Sequence, residues 1–305
     1  MKSLAIFIAL ILHSTGLWSH TEEVARGHLA AQALGRPVTA IIAQPKQNTV
    51  IASLPVKQHD SSLDLGAKNV LAVDASTMLP LYSKNPGAKV PIASITKVVT
   101  ALTILQRHSL NEVVTIKKLP IYGPDDDIMG LSEGDSLTVR ELLQAALIKS
   151  ANDAADALAL WDAGSTQKFT THMNLALAGW GITDSHFSSP SGLQDTNNYA
   201  TASDLARIGK LILTNQFIKD TVKTTSFAVT SSQNHRFNLN NTNTLLENSL
   251  LYGIKTGYTL ASGECLLGIT TISGHAVITV ILGSNDRFGD TVRLINWIES
   301  SYQWL

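Results

Sequence analysis

The C-terminal end of the chain constrains its fold more than any other stretch. Three β-type runs follow one another there, Gly253–Thr259, Leu266–Ile272 and Ala276–Leu282, and Ser273-Gly274 makes a good hairpin turn between the last two. An amphipathic helix is expected over Val292–Trp304. Two further short β-type runs, Val70–Val73 and Leu79–Tyr82, stand around a turn at Ala75–Thr77. Between the two strand groups the spacing turns helical. Apolar residues recur at Ile95, Val98, Val99, Leu102 and Leu105, which predicts a helix over Ile95–Leu105 with one buried face. Val139–Ile148 and Asp153–Leu160 read as two helices broken at Ser150–Asn152, and Ala202–Leu213 as another, capped by Thr201 or Ser203. Early strands, a helical middle and late strands imply an α+β fold. Its core is an antiparallel five-stranded sheet with the terminal helix on one face and a helical insert beyond the other.

The N-terminal end carries a different signal. Lys2 is followed by an apolar run from Leu4 to Leu12 and then by Ser14, Gly16 and Ser19. A positive start, a short apolar core and small residues behind it fit a secretory signal peptide over residues 1–19, with export to the periplasm. The run is about half the length of a membrane span, and no second span is expected downstream. Residues 20–65 read as an irregular arm: a short helix around Glu22–Leu34, then Pro37, Pro45 and Pro55 as interruptions. Residues 66–305 read as one catalytic domain.

Composition removes several function classes. Lys+Arg total 23 against Asp+Glu at 24, without the basic excess that a nucleic-acid binder uses to neutralise phosphates. Cys265 is the single cysteine, so an intrachain disulfide or a cysteine metal cage is excluded. The nine histidines include no i, i+4 pair and no HExxH, so no metal site and no cofactor are expected.

Three short motifs carry chemistry: Ser94-Ile95-Thr96-Lys97, Ser150-Ala151-Asn152 and Lys255-Thr256-Gly257. Each has a bland alternative: a helix cap with a solvated lysine, a helix–helix turn, a strand edge with a bulge. A second Ser-x-x-Lys occurs at Ser165–Lys168, in what reads as a polar connection, and Ser-x-Asn recurs at Ser83, Ser109 and Ser232. Context separates them, because Ser94 opens the first strongly apolar helix and Lys97 falls one turn on, on the same face. A serine hydroxyl needs a base within hydrogen-bond reach. A lysine can be that base only if burial or a second cation depresses its pKa; Lys97, on a buried helix and facing Lys255, would meet both conditions. Ser150 would relay a proton to the leaving amine and Asn152 would hold the substrate's amide. Lys255 and Thr256 would bind a carboxylate beside the scissile bond, and Gly257 would let a ligand's backbone approach closely. The backbone N–H groups of Ser94 and Tyr258 would stabilise the oxyanion.

Ser-x-x-Lys, Ser-x-Asn and Lys-Thr-Gly in this order resemble the motifs of penicillin-binding proteins and serine β-lactamases. Pro91-Ile92-Ala93-Ser94-Ile95-Thr96-Lys97 is similar to the nucleophile segment of the low-molecular-mass D-alanyl-D-alanine peptidases. Leu147–Ala155 is similar to their second motif, and Lys255-Thr256-Gly257-Tyr258-Thr259 with Gly263, Cys265 and Leu266 to their third. Pro190-Ser191-Gly192-Leu193 and Asn241-Thr242-Asn243 also fit. The resemblance runs from about Gly66 to the end. It implies a periplasmic, penicillin-sensitive serine enzyme that cleaves the D-Ala–D-Ala bond of peptidoglycan stem peptides, or a D-Ala cross-link, through an acyl-serine. Stem peptides and β-lactams are the expected partners, and Cys265 a buried packing residue.

The resemblance leaves two sub-activities open. A chain ending soon after Leu294-Ile295-Asn296-Trp297-Ile298-Glu299 is more like the soluble endopeptidases of the family, with no stable membrane anchor after signal cleavage. Ser150-Ala151-Asn152-Asp153 looks more like the carboxypeptidase version. A β-lactamase is the first rival, but Glu247 is the only glutamate between Asn152 and Lys255 and lacks a Glu-x-x-Leu-Asn setting for activating water. A catalytically silent cell-wall or β-lactam-binding module is the second, and such a module need not keep both nucleophile and base.

Overall fold

The computed structural model describes residues 53–193, 197–248 and 252–305. The expected signal peptide and the short helix around Glu22–Leu34 lie outside them. After β1 (Pro55–Lys57), the strands β2 (Asn69–Asp74) and β3 (Pro80–Lys84) form a hairpin. The Asp74 carboxylate holds its turn, accepting from the backbone N–H and the hydroxyl of both Ser76 and Thr77. Next, β4 (Val90–Pro91) runs through a 3-10 turn (Ala93–Ile95) into α1 (Thr96–Leu105). A small pair, β5 (Val113–Thr115) and β6 (Ser136–Thr138), precedes α2 (Val139–Ile148), α3 (Asn152–Ala163) and α4 (Thr166–Gly179). The strand β7 (Tyr199–Ala200), paired with β4, leads to α5 (Ala202–Leu213) and α6 (Gln216–Val222). A hairpin of β8 (Ser226–Thr230) and β9 (Arg236–Asn240) follows. The chain then runs through β10 (Tyr252–Thr259), β11 (Gly263–Ile272) and β12 (His275–Ser284), and closes with α7 (Arg287–Ser301) and β13 (Tyr302–Trp304).

The main sheet has the order β10-β11-β12-β2-β3, antiparallel throughout. The late strand group thus joins the early one through β12 and β2, as the apolar pattern implied. Every residue of β2 is buried, because both faces of the sheet are covered. Leu71, Val73, Ile278 and Val280 face the helical insert in the larger core, while Val70, Ala72, Val277 and Ile281 pack with Leu294, Ile295 and Ile298 of α7 in the smaller one. Strand alternation sends neighbouring residues to opposite cores.

Three expectations need correction. The terminal helix stops at Ser301, and the last residues form β13, which pairs with β1 (Pro55 opposite Trp304). A strand therefore stands inside the stretch read as an irregular arm; Pro55 at its first position disguised it, as proline is tolerated there. Second, α1 is not buried on one face only: Thr96 to Ile104 are all buried. Two of its small hydroxyls make their bonds inside, Thr100 donating to the Pro190 carbonyl at 2.6 Å and Thr96 accepting from Asn198 Nδ2 at 2.6 Å. Third, Ser165–Lys168 does not lie in a mere polar connection. Ser165 caps α4, its Oγ accepting from the Lys168 N–H at 3.2 Å, so this Ser-x-x-Lys is a capping motif. The hairpin of β8 and β9, where Phe237 and Leu239 alternate inward, adds two strands outside the runs read from the sequence. Among the described residues, no helix is long and apolar enough to cross a membrane.

Candidate active site

The nucleophile candidate sits on a turn, not in a helix. Ala93 takes a positive φ of 50°, the 3-10 turn carries Ser94, and α1 starts two residues later. Neither the turn nor α1 has a side-chain cap, so the bland reading of Ser94 as a helix cap is excluded. One turn on, Lys97 is completely buried. Its Nζ donates to Ser94 Oγ at 2.7 Å, to Asn152 Oδ1 at 2.7 Å and to the Ser191 carbonyl at 2.8 Å. Burial lowers its pKa to about 7, against the fields of Asp156, Asp127, Asp153 and Asp126, which favour the charged form. Near neutral pH a large share of Lys97 is therefore the free amine, within reach of the serine proton.

The second motif fills the break between α2 and α3. Ser150 has φ 68°, a left-handed conformation rare for a residue with a Cβ, which ends α2 and lets α3 begin at Asn152. Its Oγ is buried and has no hydrogen-bond partner among the described residues. Beside it, Asp153 accepts from the backbone N–H groups of Met129, Gly130 and Leu131, and the Asn152 N–H donates to the Asp127 carbonyl at 2.7 Å. The start of α3 thereby fixes the segment between β5 and β6 at the site.

The third motif lies on β10 at the edge of the main sheet. Lys255 is buried, and its pKa is held well below the ordinary value by desolvation and then by the nearby charges of Lys97 and Arg287. Thr256 Oγ1 shares a 2.5 Å hydrogen bond with Thr242 Oγ1. Gly257 corrects an expectation: a Cβ there would stand 2.7 Å from the Ile92 carbonyl and 3.2 Å from the Ser94 nitrogen. The close approach that requires glycine is made by the protein's own nucleophile turn, not by a ligand.

A cavity of about 600 Å³ opens over these residues, lined among others by Ser94, Asn152, Gly192, Tyr258 and Asp125–Asp127. Lys97, Ser150, Lys255 and Thr256 are buried and do not line it. Two supporting groups escaped the sequence reading. Asn198 Nδ2 donates to Thr96 Oγ1 at 2.6 Å, and Arg287 Nη1 donates to the Gly257 carbonyl at 2.9 Å. Gly192 has φ 78°, and a Cβ there would stand 2.1 Å from the Ala93 carbonyl. Gly192 belongs to the Pro190–Leu193 run already matched to the family in sequence, and its Pro-Ser-Gly order is a turn signal; nothing local marks Asn198 or Arg287. Cys265 is buried in the larger core with its thiol pushed up to about 11, which makes it a packing residue.

Comparison with known proteins agrees with this geometry. A family model described as D-alanyl-D-alanine carboxypeptidase matches residues 56–286. The chain is 32% identical over 272 residues to a D-alanyl-D-alanine endopeptidase of Pseudomonas aeruginosa, covering 86% of this chain and 84% of that one. Among solved structures, the DD-transpeptidase of Streptomyces K15 superposes with a TM-score of 0.72 at 28% identity, over 79% of this chain and all of that one. The ampicillin-bound penicillin-binding protein D2 of Listeria monocytogenes superposes with a TM-score of 0.67 at 28% identity, over 77% of this chain and 98% of that one. The α+β fold, the buried Lys97 in contact with both Ser94 and Asn152, and these matches agree: the chain belongs to the D-alanyl-D-alanine carboxypeptidase family of serine peptidases.

Proposed function

We propose that this protein is a penicillin-sensitive serine D,D-peptidase of peptidoglycan stem peptides. It removes a terminal D-alanine, opens D-Ala cross-links, or does both, through an acyl-serine intermediate. The observation that carries the reading is the 2.7 Å contact between a fully buried Lys97 and the hydroxyl of Ser94. Lys97 as free amine takes the Ser94 proton while Oγ attacks the carbonyl of the penultimate D-alanine. The N–H groups of Ser94 and Tyr258 receive the developing oxyanion. Collapse breaks the peptide C–N bond, and Ser150 hands the proton from Lys97 to the departing amine. Water then attacks the acyl-serine, with Lys97 as base, to give the acid and free Ser94. Asn152 holds the substrate amide while its Oδ1 keeps Lys97 in place. A β-lactam would enter the same reaction, its ring amide standing for the D-Ala–D-Ala bond.

Lys255 and Thr256 bind the substrate carboxylate in this reading, and Arg287 reinforces the positive field from behind Gly257. Lys255→Ala is expected to lower kcat/KM on a D-Ala–D-Ala pentapeptide by about 10- to 100-fold, the loss of one charge-assisted hydrogen bond. A pentapeptide amidated at its C-terminus should lose almost nothing further in the variant. Equal losses on both peptides would remove the carboxylate role.

Export to the periplasm belongs to the same proposal. It rests on Lys2, the apolar run Leu4–Leu12 and the wall-directed chemistry. Fractionation of expressing cells, with the N-terminus of the recovered protein sequenced, tests it: a mature start shortly after Gly16 or Ser19 is expected. The site itself is tested by mass spectrometry of the protein with benzylpenicillin.

A further inference from the structure

Asp156 stands in an alanine-rich stretch of α3, two alanines before it and Ala157 after it, and is almost fully buried. A carboxylate is costly at such a position unless something compensates it. It lies four residues after Asn152, hence one helical turn along the same face. Asn152 Oδ1 accepts from Lys97 Nζ at 2.7 Å. From the segment between β5 and β6, Tyr122 closes over the acid and donates its hydroxyl to Asp156 Oδ2 at 2.8 Å. Resting on the peptidase reading above, we propose that Asp156, clamped by Tyr122, is the counter-charge of Lys97 and sets the pH range in which Lys97 can take the proton of Ser94. It touches no reacting atom and is a positioning residue, acting through the lysine.

The electrostatics agree. Burial raises Asp156 to about 6, while the Tyr122 hydrogen bond and the charge of Lys97 hold it down. Among the charges that favour protonated Lys97, Asp156 is the largest, ahead of Asp127, Asp153 and Asp126. Lys255 on β10 pushes the other way through mutual repulsion. Tyr122 keeps its proton, its phenol raised well above the usual value by burial and by Asp156. Near neutral pH the ionised Asp156 thus favours the ammonium of Lys97 and opposes the desolvation that releases the base. Removing the carboxylate lets Lys97 lose its proton at lower pH.

The test is the rate constant for acylation of the full chain by benzylpenicillin, measured from acid to alkaline pH. The wild type should show an acid limb, rising as Lys97 deprotonates. Asp156→Asn, close in shape, should move that limb about one unit toward acid. Below the wild-type midpoint it should therefore react roughly 10-fold faster. Tyr122→Phe should move the limb the same way by less, because Asp156 without its donor is more readily protonated. A folded Asp156→Asn with an unmoved limb, or one moved toward alkali, would overturn the proposal, as would a lower rate with the same limb. If Asp156→Asn fails to fold, the Tyr122→Phe profile decides alone: a limb moved toward acid supports the proposal and an unmoved one overturns it. A wild type that is never acylated would fail the peptidase reading instead.

Discussion

Lys97→Met is expected to slow acylation of Ser94 by benzylpenicillin about 10³-fold near neutral pH, within the usual range for loss of a general base. Methionine is the better replacement because it fills the slot of the lysine stem, which is wholly buried in α1. Alanine would add a cavity to the loss of the amine. What disappears with the amine is one donor to Ser94 Oγ, one to Asn152 Oδ1 and one to the Ser191 carbonyl. The pH profile separates the catalytic loss from a structural one. With Lys97 lowered to about 7, the wild-type rate should climb through that pH as the ammonium gives up its proton. The variant's residual rate should lack this climb. Stopped-flow acylation between pH 5 and 9 gives both numbers. A variant that is acylated at the normal rate would exclude Lys97 as the base.

Gly192→Ala is the second large effect, and it acts through the backbone beneath the nucleophile. The residue has φ 78°, where an L side chain is strained, and its Cβ would stand 2.1 Å from the Ala93 carbonyl and 2.6 Å from Thr96 Oγ1. Strain at such a φ alone costs about 1–3 kcal/mol. The clash adds to it, because the obstructing atom is backbone and cannot swing aside. We expect a fall in Tm of about 5–15 °C, given a few degrees per kcal/mol for a domain of this size. We also expect acylation to slow by about 10²-fold, since the Ala93 carbonyl precedes Ser94 and a displaced nucleophile loses its alignment. Gly87→Ala is the control: its Cβ would meet nothing within 4 Å, and stability should stay within about 0.5 kcal/mol. A Gly192→Ala variant as stable and as reactive as the wild type would mean that the turn does not need this contact.

The sheet was legible because β-type runs and one hairpin turn fall close together in sequence, at 253–282 and 70–82. Pairing of β12 with β2 joins residues about two hundred positions apart, and it places both apolar strand groups in one buried sheet. The pair of β1 with β13 was not legible, since neither three-residue strand has enough periodicity to declare itself. The same limit applies to the site. Ser94 and Lys97 announce themselves through i, i+3 spacing at the entry to an apolar helix, and each short motif carries its own signal. The contact of Lys97 with Asn152, the Ser191 carbonyl as a ligand of Lys97 and the Arg287 bond to Gly257 depend on tertiary packing. Gly257 shows the gap well. Sequence reasoning identified a position that tolerates no side chain, but only the fold reveals that the neighbour is the nucleophile turn. Ser165 shows the converse: a matching Ser-x-x-Lys becomes a cap once α4 is seen behind it.

The most direct test is an intact-mass time course of the full chain with benzylpenicillin, with Ser94→Ala alongside. The account predicts one long-lived penicilloyl adduct per chain, formed on Ser94 and absent from the variant, because the protein carries a lysine-activated nucleophile. Digests of cross-linked muropeptides and pentapeptide would then apportion the activity between endopeptidase and carboxypeptidase. No adduct, or an equal adduct on Ser94→Ala, would contradict the assignment of Ser94; an adduct that forms and clears within seconds would place the chemistry with the β-lactamases instead.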